Sequence, residues 1–177
     1  MDKELIVLGV AHVLSIEEKV KEIILSRMPE AIALELDEDR AKYLEGKILD
    51  DKRIKTSFYY ILAKYQEMVA KKLGSDLGNE MKTAIEIAKS KNIPLFYIDK
   101  KSTEVVSKLW KELSLKEKFL IIFGIFLSLF ESKNRIEKEL KEIKNTPSYF
   151  IEEIGEKFPK IKKILIDERD EYMASLL

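Results

Sequence analysis

The sequence predicts an α/β protein: a small parallel sheet of about three strands flanked by helices, with a large, mostly helical lobe in its second half. Two observations carry this. Three short apolar runs, "ELIVLG" (4–9), "AIALEL" (31–36) and "PLFYID" (94–99), are separated by stretches of helical periodicity, the pattern of parallel strands buried beneath helices on both faces. After Asp99 no strand-like run recurs, and apolar residues return at three- and four-residue spacings. The expected organisation is a single domain over residues 1–177, with a βα core (1–100) and a helical lobe (101–177).

Each element has a local reason. After the first run, Ser15 with Glu18 reads as a capping box. Ile16, Val20, Ile23 and Ile24 then make a helical stripe that Pro29 stops, completing one βαβ unit with the second run. Between the second and third runs, Phe58, Ile61, Leu62, Tyr65, Val69 and Leu73 recur at helical spacing. "GSDLG" (74–78) breaks the chain, and Met81, Ala84, Ile85 and Ala88 mark the return helix, ending near Asn92.

In the lobe, Val105, Leu109 and Leu113 form one stripe and Ser114 with Glu117 caps the next helix. The run "FLIIFGIFLSLF" (119–130) falls short of the ~20 residues of a membrane span, and a buried core helix is expected there rather than a membrane-surface helix. Ile136, Leu140 and Ile143 make a narrow apolar seam, Thr146 with Pro147 starts another helix, and residues 158–177 close the chain as one more.

Composition narrows the chemistry. Lys plus Arg and Asp plus Glu are both 32, a neutral balance that gives no basic footprint for nucleic acid. With no cysteine there is no disulfide, thiolate nucleophile or thiolate metal site. A metal would be held by the single histidine, His12, with carboxylates, backbone oxygen or water, which suits manganese- or magnesium-like ions or a weakly held zinc. The first apolar stretch directly follows "MDKE" and is strand-sized rather than a signal sequence, so a cytoplasmic location is expected.

Ligands of open parallel sheets bind beyond the carboxyl ends of the strands. That edge collects His12 after the first run, Glu35 and Asp37 at the end of the second and Asp99 at the end of the third. Alternation places Glu35 on the face of Ala31 and Ala33, where burial would raise its pKa unless a metal or Arg40 compensates. The plainer readings are a loop histidine, a solvated Glu35, a helix-capping Asp37 and a turn-forming Asp99. Glu80 falls in the first turn of its helix, where the dipole favours a carboxylate, and "DERDEY" (167–172) reads by itself as a solvated charged face.

The blocks "LGVAHV" with "SIEEKV", "ALELDEDR", "LGNEMKTAIEIAKSKNIPLFYIDK", "LWKELSLKEK" and "DERDEYMA" resemble, in order and across nearly the whole chain, those of the TraB family. That family is named for pheromone-shutdown proteins of conjugative plasmids and is similar to the Tiki metalloproteases and, more distantly, to erythromycin esterases. The resemblance implies a metal-dependent hydrolase or peptidase. Gly9 and His12 match its Gly-x-x-His pattern, Glu35, Asp37 and Arg40 its acidic block, Glu80 with Met81 its helix-opening pair, and Glu168, Arg169 and Asp170 its Glu-Arg-Asp block.

By this resemblance His12, Glu35 and Glu80 surround a divalent ion (Mn, Co, Mg or Zn), Glu35 and Glu80 also act in catalysis, and Arg169 stabilises a developing oxyanion. Gly9, Asp37, Arg40, Asp99, Glu168 and Asp170 are further candidates. Two departures stand out. Asp99 is followed by Lys100 where relatives usually carry arginine, a point charge in place of a bidentate fork. Relatives continue into a strand bearing a second Gly-x-x-His, and many into membrane-spanning helices; neither precedes Leu177, so His12 is expected to be half of a two-histidine site.

The expected partners are a peptide or small-molecule substrate and a second copy of the chain, with no nucleic acid and no membrane span. The competing reading is a non-catalytic regulatory or interaction domain working through its helical lobe as a dimer. A third is the cytosolic part of a longer membrane-associated protein, its open strand edge blocked by dimerisation.

Overall fold

A computed structural model of the chain describes residues 4–9, 16–46, 58–73, 78–136, 138, 142 and 146–177. Two of the three expected strands form. Strand β1 (Ile32–Leu34) pairs in parallel with β2 (Leu95–Tyr97), setting Ile32 opposite Leu95 and Leu34 opposite Tyr97. The pairing runs on past the strand ends, where the Ile98 N–H donates to the Leu34 carbonyl at 3.0 Å and the Asp99 N–H to the Leu36 carbonyl at 3.1 Å. The expected strand at 4–9 does not form: those residues carry no sheet pairing, and Leu5 to Leu8 are exposed, Val7 to 79%. Apolarity is common to a paired strand and an unpaired segment, and only a partner edge makes the difference.

Helix α1 (Glu17–Arg27) follows, ending at Met28 in the left-handed region (φ 43°) one residue before Pro29. Ser15 of the expected capping box lies outside the described residues. Helix α2 (Glu38–Leu44) leaves β1, α3 (Phe58–Leu73) is the first of the two crossover helices, and α4 (Asn79–Lys91) is the second, stopping at Asn92 as its pattern predicts. Gly78 before α4 has φ 77°, the left-handed region that favours glycine, and a Cβ there would push aside only the Leu44 methyl at 2.9 Å, so the backbone rather than space selects glycine.

The first core joins Val20 and Ile24 of α1, Leu34 and Leu36, Ala41 of α2, and Met81, Ala84 and Ile85 of α4. Among the described residues only one face of the sheet is covered in this way. On the other, Ala33 and Phe96 are exposed, Phe96 to 56%, which corrects the expectation of helices on both faces. The lobe joins the sheet at its carboxyl edge, through the contacts described below, and so leaves that face open.

The second core lies in the lobe. Val105 and Leu109 of α5 (Ser102–Glu112) close on Leu113 and Ile164, with Trp110, Ile121, Ile161 and Leu165 packed around them. Phe58 of α3 stacks on Trp110 at 4.0 Å between ring centroids. Helix α6 (Leu115–Ser128) begins with the expected capping box, the Ser114 hydroxyl accepting from the Glu117 N–H and the Glu117 carboxylate accepting from the Ser114 N–H. Helix α7 (Pro147–Lys157) starts at Pro147. The final run comprises α8 (Pro159–Lys162), a π-helical segment (Lys163–Asp167) and α9 (Glu168–Ala174). Ile136 is buried, while Leu140 and Ile143 of the expected seam lie outside the described residues.

The buried core helix expected at 119–130 is also corrected. Helix α6 buries none of its residues, and Phe119 is 65% and Phe130 75% exposed. Ile121 and Ile125 turn partly inward, but α5 and Ile164 already fill the second core. Among the described residues no helix is long and apolar enough to cross a membrane.

Candidate functional site

At the carboxyl edge of the sheet, two arginines from distant parts of the chain meet carboxylates from both strand ends. Asp99 is the hub. Arg169 grips it with a two-pronged contact, Nε to Oδ1 at 2.9 Å and Nη2 to Oδ2 at 2.8 Å, and Arg40 Nη1 approaches Oδ2 at 3.3 Å. The Lys100 N–H also donates to Asp99 Oδ1 at 2.7 Å. The Asp99 side chain is 1% exposed, and such a carboxylate stays charged only where cations and donors replace the lost water. Arg169 Nη2 reaches on to Glu35 Oε1 at 2.5 Å, so one guanidinium ties the tips of β1 and β2 to the C-terminal helical run.

The π segment explains why Arg169 points inward. A wider turn rotates every later residue about the helix axis. Arg169, just beyond it, faces the sheet and donates Nη1 to the Leu165 carbonyl at 3.0 Å. Its neighbours face away: Glu168 takes both its hydrogen bonds from Lys108 Nζ, at 2.7 Å each, and Asp170 is exposed. Lys100 Nζ lies 5.6 Å from the Tyr172 ring centroid, a second link between the end of β2 and α9.

Beside the hub, Asp37 is a buried cap with two jobs. Its Oδ1 accepts from the Asp39 and Arg40 N–H groups at 2.9 and 3.0 Å, opening α2. Its Oδ2 accepts from the Ser102 N–H at 2.9 Å and hydroxyl at 2.7 Å, opening α5. Burial, the largest single influence, pushes the Asp37 carboxyl up, but the Ser102 hydroxyl, the Arg40 and Ser102 N–H groups and the Arg40 charge together hold it below its ordinary value. Hydrogen bonding to Asp99, then the Asp99 and Glu35 charges, outweigh burial and raise the Arg169 guanidinium, keeping it charged.

The structure thus gathers Glu35, Asp37, Arg40, Asp99 and Arg169 from the expected residues. The cation beside Glu35 is Arg169 rather than Arg40, which turns to Asp99 instead. Glu80 is buried in the first turn of α4, 2% exposed, and Gly9 is exposed. Glu168 and Asp170 stand outside the cluster. His12 lies outside the described residues. Ser102 is the member that sequence reasoning missed; its contact spans 65 residues, and no local pattern announces it.

Fold and site together define an α/β protein whose carboxyl-edge centre is an arginine–carboxylate network closed by a C-terminal helix. The profile of the TraB/PrgY/gumN family matches residues 1–177, and the chain belongs to that family. It is 36% identical over 186 residues to an uncharacterized protein of Methanocaldococcus jannaschii, an alignment covering 98% of this chain and 47% of that one. The chain therefore spans about half the length of this curated relative. No solved structure matches it.

Proposed function

We propose that the carboxyl edge is the reaction centre of a metal-dependent hydrolase acting on a peptide or small-molecule substrate. In this reading His12, Glu35 and Glu80 would hold a hard divalent ion, and such an ion would supply an activated water. Arg169 offers a guanidinium to developing negative charge. The observation that carries the reading is Glu35, whose side chain remains 39% exposed at the tip of β1 while its partner Arg169 is locked on buried Asp99. A substrate anion arriving there competes with Glu35 for Nη2 of an arginine already held in place.

The described donors do not by themselves fit an ion. Among the described residues no three histidine, aspartate or glutamate side chains are placed to hold one metal ion, and Glu35 and Asp99 are already met by guanidinium groups. The ligand set in this reading is completed by His12. The test is metal content by mass spectrometry on protein purified without chelator or metal affinity resin, for wild type beside His12→Ala and Glu35→Gln. A near-stoichiometric ion in wild type that both substitutions remove supports the reading, and peptide and ester substrates with manganese or cobalt then follow. No ion in any of the three proteins removes it.

The second reading, a non-catalytic interaction domain, is favoured by one observation of its own: the exposed apolar face that α6 presents from Phe119 onward.

A further inference from the structure

The second reading needs an occupant for α6, and the helix itself supplies the argument. From Phe119 to Phe130 there is no charged residue. Ile121, Ile125 and Ser128 turn partly inward, so every other side chain of the run faces outward. Phe119, Phe123, Phe126 and Phe130 are 65, 46, 53 and 75% exposed, and Leu120, Ile122 and Leu127 about half exposed. Monomeric proteins rarely show an apolar patch of this size.

We propose that two copies of the chain associate through this face, their α6 helices antiparallel across a two-fold axis near Phe123 and Gly124. Three features favour a second copy. The first is area: with about 200 Å² per phenylalanine and somewhat less per leucine or isoleucine, the face offers roughly 700 Å² per copy, close to the ~800 Å² per partner of a standard stable interface. The second is spacing, since Leu120, Phe123, Leu127 and Phe130 follow the alternating three- and four-residue pattern of a helix-pairing seam.

The third feature is Gly124. It lies at the middle of the run and has nothing within 4 Å of where a Cβ would be, leaving a notch beside Leu120 and Leu127 that a ring from the facing helix can fill. A mid-helix glycine costs about 1 kcal/mol relative to alanine, a cost that close helix approach offsets.

Charge argues against a lipid surface as the occupant. The flanks of the run carry Lys116, Glu117 and Lys118 on one side and Glu131 and Lys133 on the other, a mixed collar rather than the basic one that anionic headgroups favour. Zero formal net charge leaves two copies without bulk repulsion. Antiparallel pairing also opposes the two helix dipoles.

Sedimentation equilibrium on the full chain tests the proposal. Wild type is expected to run at about twice the 20.6 kDa chain mass, and Phe123→Glu to raise the dissociation constant at least tenfold with an unchanged helical circular dichroism spectrum. Phe126→Glu carries the same test if the first variant fails to fold. Because the chain has no cysteine, Gly124→Cys should oxidise to a covalent dimer where a control at exposed Glu152→Cys does not. A monomeric wild type, or a dimer that both glutamate variants leave intact, overturns the proposal. So does a monomer that floats with phosphatidylcholine–phosphatidylglycerol vesicles, which would give the face to lipid. Metal content reads the carboxyl-edge proposal separately, so either can fail alone.

Discussion

The carboxyl edge and helix α6 invert the usual distribution of residues. At the edge, Asp37 and Asp99 are buried at 5% and 7% exposure; on α6, phenylalanines stand in the open. Hydropathy alone would exchange them. What decides each case is the supply of partners: Asp99 has two guanidiniums and a backbone donor, whereas no residue of α6 is buried. Burial follows partners as much as polarity.

The strongest way to break this contrast is to remove a partner at the edge. Arg169→Met leaves Asp99, among the described residues, with Arg40 and a backbone N–H while costing little volume. Breaking one side of a buried ion pair costs about 3 kcal/mol, and urea unfolding at neutral pH should show a loss of that size. Asp99→Leu added to Arg169→Met should recover part of it, because no uncompensated carboxylate is then left inside. A single variant as stable as wild type would mean the network is solvated and the contrast false.

What the sequence disclosed follows the same line. Features closed within a few residues were legible: the Ser114–Glu117 box, the stop at Asn92, the start at Pro147 and the cap role of Asp37. Features that depend on a distant partner were not. Residues 4–9 have the composition of a strand but no pairing, and α6 has the composition of a core helix but no covering element among the described residues. The edge was legible in Glu35, Asp37, Arg40, Asp99 and Arg169, because strand ends and the family resemblance both point there, but not in Ser102. The wiring of the edge was not: Arg169 follows a π segment whose Ile164 is buried in the second core, and the partner of Glu35 lies 134 residues away.

A smaller effect sharpens the comparison within the edge. Asp37→Asn keeps an N-cap acceptor but loses the charge that Arg40 and the Ser102 donors stabilise, so a loss of about 1 kcal/mol is expected at pH 7. The pH dependence has a definite sign. The carboxyl of Asp37 is held below its ordinary value in the fold, so its contribution is complete above the unfolded value near 3.9 and is lost as pH falls through the folded value. Urea midpoints measured from about pH 7 downward should therefore drop less steeply below about pH 4 in Asp37→Asn than in wild type. Parallel curves would show that Asp37 titrates as an ordinary solvated carboxylate.

The smallest expected effect lies at the other pole. Phe126→Ser removes a large apolar side chain from the outward face of α6, where it is 53% exposed, and should change the stability of the single chain by less than about 0.5 kcal/mol. Ile164→Ala removes fewer atoms from a site 1% exposed and should cost about 3 kcal/mol through the cavity it leaves. The pair is best compared by urea unfolding at the lowest workable concentration, because self-association stabilises wild type by mass action and would make Phe126→Ser look damaging at higher concentration. A concentration-dependent penalty places the effect between copies, and a constant one of 1 kcal/mol or more would mean that Phe126 packs within its own chain.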